Sequence, residues 1–570
     1  MKDFSGATLA NQEFQPSHVS PYAWLGRVCF VVLIAWLSGC TSVSGFVRNG
    51  FKVGPNFQTP PASVAPRWID AADMRVRSET DDLSQWWKVF DDPVLDDLIC
   101  HAYRQNLTLR EAGFRVMEAR AEYGVVVGGF FPQSQTISGG YNRNATSIAQ
   151  LLGGSFGSFA SGSPGGAPNI RRFFNQNTMN FGLAWELDFW GRFRRAIEAS
   201  SADLDASVDN YDDVLVTLLG DVAANYVQFR VLEKQIEYLN ENANVQRKTL
   251  KITKARFDAG AKDSEIDYPQ GKTTLAQTLA QIPPTEARLR IRTNRICVLL
   301  GIPPEELQQR LKKATIPNAP KQVASGIPAD LLRRRPDVRR AERIAAAESA
   351  RIGVAQAQLY PHISINGTFG WQAPLLKQMF TPPAFQGNYG PSIQWDVLNY
   401  GRNLNKIRFQ KARFEAVVTT YQNKVLIAAE EVENGLIAFT KSQEQVQHLI
   451  ESVREAKKAR DVLANQLVAG KIDFNRLAVL ELSLVQQQNL LAQAQGDVAL
   501  GLVQVYRALG GGWQIREKGC EPSGAFRPGS AASDVESPTS ANNGGLVESQ
   551  PAALNRVRFG APLAAPPARN

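Results

Sequence analysis

The sequence predicts an α+β membrane protein built from a duplicated strand-pair plus long helical hairpins, and three observations carry that prediction. Between Thr178 and Phe189 apolar side chains take every second position (Met179, Phe181, Leu183, Trp185, Leu187, Phe189). Asn180, Gly182, Ala184, Glu186 and Asp188 fill the gaps, which is a strand with one apolar and one wet face. Directly after Gly191 and Arg192 the period changes from two to about 3.6 and holds for roughly 60 residues, so the strand feeds a very long helix. The junction then recurs: Ile393, Trp395 and Val397 alternate with Ser392, Gln394 and Asp396 ahead of Tyr400, Gly401 and Arg402, and Trp395 stands 210 positions after Trp185. That offset persists to Gly260 and Gly470, is 209 at Gly301 and Gly510, and is 229 from Phe131-Pro132 to Tyr360-Pro361. The first copy therefore carries about 19 extra residues, placed between its strands, and a duplication of this length sets the architecture.

From the beginning of the chain, residues 1–39 read as a lipoprotein signal peptide. Arg27 precedes an apolar run from Val28 to Leu37, too short to span a bilayer as a helix but of signal-core length, and Leu37-Ser38-Gly39-Cys40 resembles a bacterial lipobox. Cys40 is then the lipidation site and the first mature residue. Residues 40–93 form an extended, proline-punctuated N-terminal segment. Residues 94–310 form the first repeat: a helix from Leu95 to Phe130 with Asp91 or Asp92 as cap and Pro93 in its first turn, two strands, and a long helical hairpin. Residues 311–330 are a linker, 331–513 the second repeat, and 514–570 a C-terminal low-complexity tail.

In each repeat the strands are separated by long loops, Ser147 to Asn175 and Gln372 to Asn388, rich in Gly, Ser or Pro. The long helices run from about Arg192 to Phe257 and from about Arg402 to Leu467, and at 1.5 Å per residue each extends roughly 95 to 100 Å. They turn near Gly260 and Gly470. The first return, Ser264 to Leu299, contains Pro269, Pro283 and Pro284 and must kink or break, whereas the second, Phe474 to Leu509, contains no proline.

Composition narrows the function. The chain has 570 residues, 44% hydrophobic and 21% charged, and after the leader no stretch offers 18 apolar residues in a row, so entry into a membrane has to be by strands. Cys100, Cys297 and Cys520, scattered along the mature chain, are read as making no disulfide framework. The net charge of +9 is spread along helices without interleaved aromatics, which favours solvated helix faces over a nucleic-acid surface. The four histidines are dispersed, so no metal is implied. Gly271-Lys272-Thr273 lacks the first glycine of a phosphate loop, since Ile266 stands in its place. No catalytic constellation and no cofactor are indicated, and the chain is read as not an enzyme.

The strand faces decide between a sandwich and a barrel. Glu186 and Asp188 are incompatible with a dry second side, so Met179, Phe181, Leu183, Trp185, Ile363, Ile365, Phe369, Ile393, Trp395 and Val397 are expected to face outer-membrane lipid and their neighbours a wet lumen. Four strands cannot close a barrel and would leave two open edges in lipid. Two chains would give eight strands, whose interior side chains nearly fill, and three would give twelve strands and an open lumen.

These features, with Trp86-Trp87 to Leu95 and the Leu-Leu-Arg-Arg-Arg-Pro-Asp-Val run at Leu331 to Val338, together resemble the outer-membrane factor family of tripartite efflux pumps. These are TolC-like channel-tunnels, here similar to the NodT-type outer-membrane efflux lipoproteins. The resemblance covers about Cys40 to Trp513. It implies a homotrimer, a trimeric 12-stranded β-barrel on an α-helical periplasmic barrel, with an equatorial girdle built from the N-terminal segment, the Leu311 to Ile327 link and the C-terminal part. It also implies partners: a periplasmic adaptor (membrane fusion) protein and an inner-membrane pump of the RND type. The expected function is a passive duct exporting small molecules (drugs, metabolites or metal ions). A protein or type I secretion duct and a trimeric coiled-coil structural envelope protein are the alternatives. The family's adaptor-contacting motif implies Arg256, Phe257 and Gly260 at the hairpin end. The second copy keeps Gly470 but has Gln466 and Leu467 in place of the Arg-aromatic pair. A pore roughly 100 Å long also has to narrow where its helices turn. Asp258, Asp263, Asp473, Arg476 and Glu481 are candidates to line that gate, and Asp473, Arg476 and Glu481 are expected to form the tighter ring.

Overall fold

The computed structural model describes residues 43–79, 81–145, 147, 173–260, 264–308 and 310–526; Cys40 and Asp263 lie outside the described residues. The chain forms two compact units, one from Met1–Asn56, Val126–Ile197 and Ala350–Gln410, the other from Phe57–Val125, Glu198–Ser349 and Lys411–Asn570.

The first unit is organised by a four-stranded sheet of β1 (Ser134–Ala145), β2 (Phe173–Glu186), β3 (His362–Ala373) and β4 (Phe385–Gln394), antiparallel throughout and in that spatial order. Register fixes the faces, because residues directly opposite across a ladder project to the same side. Phe181 opposes Ile137 and Phe369, Met179 opposes Trp371, Trp185 opposes Ile365, and Ile363 opposes Ile393. Tyr389 and Phe385 of β4 join that apolar face opposite Gly367 and Trp371, while Thr136, Asn180, Ser364, Asn366, Thr368 and Ser392 occupy the other. The outer edges of β1 and β4 have no partner strand among the described residues.

Two expected strand residues are corrected. β4 ends at Gln394, so Trp395 and Val397 belong to the connection that follows it. There the Trp395 indole N–H donates to Leu359 O at 3.0 Å and the Val397 N–H to Trp395 O at 3.0 Å, which takes the backbone out of the ladder. The first copy has the equivalent tether, with the Trp185 indole donating to Phe130 O at 3.3 Å. Beyond β2 the chain turns through Gly191 at φ +80°, where a Cβ would lie 2.7 Å from the Lys52 side chain. Asp188 then accepts from the amides of Phe193 (3.0 Å) and Arg194 (3.1 Å), satisfying donors that a helix start leaves open. Buried Arg195 ties the N-terminal segment down, donating to Val53 O and Gly54 O at 3.0 Å each.

In the second unit the helix expected over Leu95 to Phe130 is two helices, α1 (Pro93–Gln105) and α2 (Leu107–Gly128). Asn106 between them is extended (φ −62°, ψ 125°). Its Oδ1 accepts from the Leu109 amide and its Nδ2 donates to Leu299 O, both at 2.9 Å. The second copy breaks at the matching position: Arg335 is extended between the turn Leu331–Arg334 and the helix that starts at Pro336. Its guanidinium donates to Ala508 O at 2.8 Å. Gly301 and Gly510, each at φ +72°, pass against these breaks, and a Cβ on Gly301 would lie 2.4 Å from Gln105 O.

Long α3 (Arg192–Asp258) returns through α4 (Ser264–Ala280) and α5 (Ile282–Leu299). The break falls at Gln281, just ahead of Pro283 and Pro284. After α6 (Pro336–Ala357), long α7 (Arg402–Val468) returns as the unbroken α8 (Phe474–Ala508). The core packs Trp86, Trp87, Leu95, Leu98 and Ile99 against Tyr226 and Phe229 of α3, Phe439 of α7 and Leu502 of α8. Val76–Arg77 pairs in parallel with Val323–Ala324, joining the N-terminal segment to the linker.

The cysteine expectation is also corrected. Cys100 and Cys520 form a disulfide across a sequence separation of 420, with Cα atoms 5.6 Å apart, and Cys297 is buried and free. Spacing alone gives no hint of it, since the pairing depends on the segment after α8 folding back onto α1.

Candidate functional site

The hairpin ends concentrate the sequence-selected residues. Gly260 (φ +72°) and Gly470 (φ +68°) carry the left-handed turns that follow α3 and α7, a conformation in which a Cβ is strained. Asp473 caps α8, accepting from the Arg476 amide at 3.4 Å, so one of the charges proposed for the gate also terminates a helix. Arg256 reaches across to the second hairpin and donates to Leu467 O at 3.5 Å, while Phe257 stays exposed, its ring 5.4 Å from that of Tyr268.

Glu481 does not join Asp473 and Arg476. Those two are exposed, whereas Glu481 is 3% exposed and accepts from Thr249 Oγ1 of α3 at 3.4 Å. Five residues beyond Arg476 is about 140° around a helix, which turns Glu481 away from the face that Arg476 presents. The expectation that all three line one ring is therefore corrected. Burial pushes the Glu481 carboxyl up to about 7, with the Thr249 hydroxyl and the Arg460 charge pulling the other way.

Around Glu481 the packed side of α3 is polar. Asn242, Gln246, Thr249 and Thr253 are all buried, and Asn242 donates to buried Gln488 of α8. Asp267 of α4, also buried, accepts from the Phe474 amide at 3.2 Å, and Gln270 donates to Asn475 at 2.8 Å. Sequence reading missed this set. The available signal was polar residues at 242, 246, 249 and 253, the seam spacing of packed helices normally filled by apolar side chains. Asp258 is exposed at the end of α3. Gly271, Lys272 and Thr273 lie inside α4, with Lys272 Nζ 4.6 Å from the centre of the Tyr268 ring.

Among the described residues no three His, Cys, Asp or Glu side chains gather as a metal site, and no helix is long and apolar enough to cross a membrane. The two-faced sheet remains as the element with the pattern of a membrane surface. Its apolar side carries Met179, Phe181, Leu183, Trp185, Ile363, Ile365, Phe369 and Ile393, and its polar side carries no large apolar residue between Gln176 and Glu186.

Comparison with known proteins gives a consistent picture. The family model described as outer membrane efflux protein matches residues 98–302 and 327–511. Nodulation protein T of Rhizobium leguminosarum bv. trifolii is 28% identical over 477 residues, covering 83% of this chain and 97% of the relative. The pyoverdine export outer membrane protein OpmQ of Pseudomonas putida is 29% identical over 488 residues, covering 86% and 98%. Among solved structures the outer-membrane channel OprN superposes with a TM-score of 0.72 at 31% identity, covering 81% of this chain and 99% of that one. The Campylobacter jejuni CmeC outer membrane channel shares the fold with a TM-score of 0.72 at 19% identity, covering 81% and 95%.

Proposed function

We propose, for a chain that belongs to the outer membrane efflux protein family, that it is the outer-membrane channel of a tripartite efflux system, a passive trimeric duct through which an inner-membrane pump expels small molecules. The observation that carries this reading is the sheet. It has one apolar and one polar face, two edges without a partner strand among the described residues, and after each strand pair a 67-residue helix. Open edges are not tolerated in hydrocarbon, so closure needs other copies of the chain, and three copies supply twelve strands around a wet lumen. Transport through such a barrel needs no catalytic group, so the energy has to come from a pump reached through a periplasmic adaptor; an RND-type pump is the reading adopted.

Relatives are named for the export of pyoverdine and for toluene efflux. Those names support small organic molecules as cargo. Phe257, exposed near Gly260, is the adaptor-facing residue of the first hairpin, and the preceding Arg256 donates to Leu467 O of the second hairpin. Asp473 and Arg476 remain the gate candidates.

The test is to extract the full chain from membranes, weigh the assembly by native mass spectrometry and record it in planar bilayers. A trimer that conducts ions supports the duct; a stable monomer, or a trimer without conductance under any applied voltage, overturns it. Cys40 is proposed as the acylated N-terminus. Cys40→Ala should leave the leader attached, and an unmodified terminus at another residue of the mature wild-type chain would refute the lipid anchor.

A further inference from the structure

The C-terminal segment after α8 is held to α1 by a set of contacts that the channel reading does not use. Asp97 of α1 is wholly buried, and its carboxylate is surrounded by donors from one short stretch of chain. The Ser523 amide and, at 3.0 Å, the Ser523 hydroxyl donate to Oδ1, the Gly524 amide to Oδ1 at 3.2 Å, and the Phe526 amide to Oδ2 at 2.6 Å. Successive backbone N–H groups wrapped around one carboxylate are a strong charge-assisted arrangement, because they replace the hydration that burial removes. Phe526 is 1% exposed, its ring edge-on to His101 at 5.5 Å, and Arg104 donates to Cys520 O. Within this docked stretch Cys520 is half-exposed, whereas its partner Cys100 is buried at 2%.

We propose that Cys100 and Cys520 are a site of oxidative modification. The segment from Gly519 to Phe526 docks on Asp97 first, and a periplasmic protein of the dithiol–disulfide oxidoreductase class then closes it as a covalent clasp. The difference in exposure gives the order of steps. The Cys520 thiolate attacks the oxidant's disulfide and forms a mixed disulfide, releasing one oxidant thiol. The Cys100 thiolate then attacks Cys520 Sγ and expels the second. Each cysteine gives up one proton, the pair gives up two electrons, and the oxidant leaves as its dithiol. The bond closes a loop from Cys100 to Cys520 that holds nearly all of both repeats, so the segment after α8 cannot leave α1. This rests on the envelope location proposed above, where disulfides form and persist.

The test counts thiols on the full-length wild-type chain in the outer-membrane fraction, by mass-tagged maleimide under denaturing conditions. With Cys29 removed in the leader and Cys40 blocked by its acyl group, one alkylated cysteine per chain (Cys297) before reduction and three after it supports the clasp; a free Cys40 would add one to both counts and leave the difference of two unchanged. Three before reduction, on a chain found in the outer membrane, overturns the clasp and leaves the channel reading standing. Cells lacking the periplasmic disulfide-forming oxidoreductase should give three, and one there would overturn the enzymatic route. Asp97→Ala should lower the oxidised fraction at least twofold, and an unchanged fraction would overturn docking by Asp97. Because that variant can fail to fold, the wild-type protein provides a second reading. Trypsin cleavage after Lys518 and Arg556, Arg527 being protected by Pro528, should leave Gly519–Arg556 attached to the Cys100 peptide until a dithiol is added; release without reductant overturns the proposal.

Discussion

At the scale of single residues the site turns on burial, which sequence cannot report. Glu481 reads in the sequence as one more charge near a turn, yet it sits 3% exposed against Thr249 with its carboxyl raised from 4.5 to about 7. Below pH 4.5 both the folded and the unfolded chain hold the proton. Between 4.5 and 7 only the folded chain does, so stability falls as pH rises through that window, and above 7 the full penalty applies, on the order of 3 kcal/mol. Glu481→Gln keeps an acceptor for Thr249 and removes the titration. Its melting temperature should exceed wild type at pH 8, match it near pH 5, and change less between the two; an unaltered pH dependence would contradict this assignment. The strand faces, by contrast, were legible from alternation alone. Phe369 and Thr368 are adjacent in β3 and project to opposite faces. Phe369→Lys should cost about 2 to 4 kcal/mol if its face meets lipid, and Thr368→Lys little. Equal losses in urea-titrated refolding into vesicles would argue for a dry core on both sides.

At the scale of elements, the two long helices, their glycine turns and the proline-broken first return were all readable, because each leaves a period or a breaker in the sequence. The break at Asn106 was not. Helical periodicity continues straight through it, and the Asn106 side chain donates there to Leu299 O. At Arg335 the following Pro336 is itself a breaker that disfavours helix at the residue before it, and the Arg335 guanidinium donates to Ala508 O. The matching placement, 229 positions apart, makes the break a feature of the repeat. Asn106→Ala removes both the cap to Leu109 and the bond to Leu299 O, and should destabilise the second unit by about 1 to 2 kcal/mol. Gly301→Ala should do at least as much, since it adds a clash with Gln105 O to a left-handed backbone. Hydrogen exchange over α1 and α5 would report both. Protection equal to wild type would show that the break is held by packing alone. The Cys100–Cys520 pair escaped sequence reading for a related reason, since the contact is made by tertiary docking of a segment 420 residues away.

At the scale of the whole molecule, a duct that carries cargo has to stay shut when no pump is attached, and the described hairpins differ in a way that bears on where. The first return is broken at Gln281 and carries Pro269 within α4; the second, α8, runs unbroken from Phe474. A continuous helix holds its first turn more rigidly than one interrupted by prolines. Asp473 and Arg476, exposed in that first turn, are therefore the charges best placed to be repeated as a narrow ring in a trimer, where a ring of carboxylates favours cations. The variant has to separate charge from capping, because Asp473→Ala would also remove the bond to the Arg476 amide and fray α8. Asp473→Asn keeps a capping side chain of nearly equal strength while removing the charge. Its melting temperature should therefore stay at the wild-type value while the reversal potential of the reconstituted channel moves toward anions. Arg476→Ala should move it toward cations. If both variants conduct with wild-type selectivity, the constriction is built from other residues, and the buried polar seam of Asn242, Gln246 and Thr249 becomes the next place to cut.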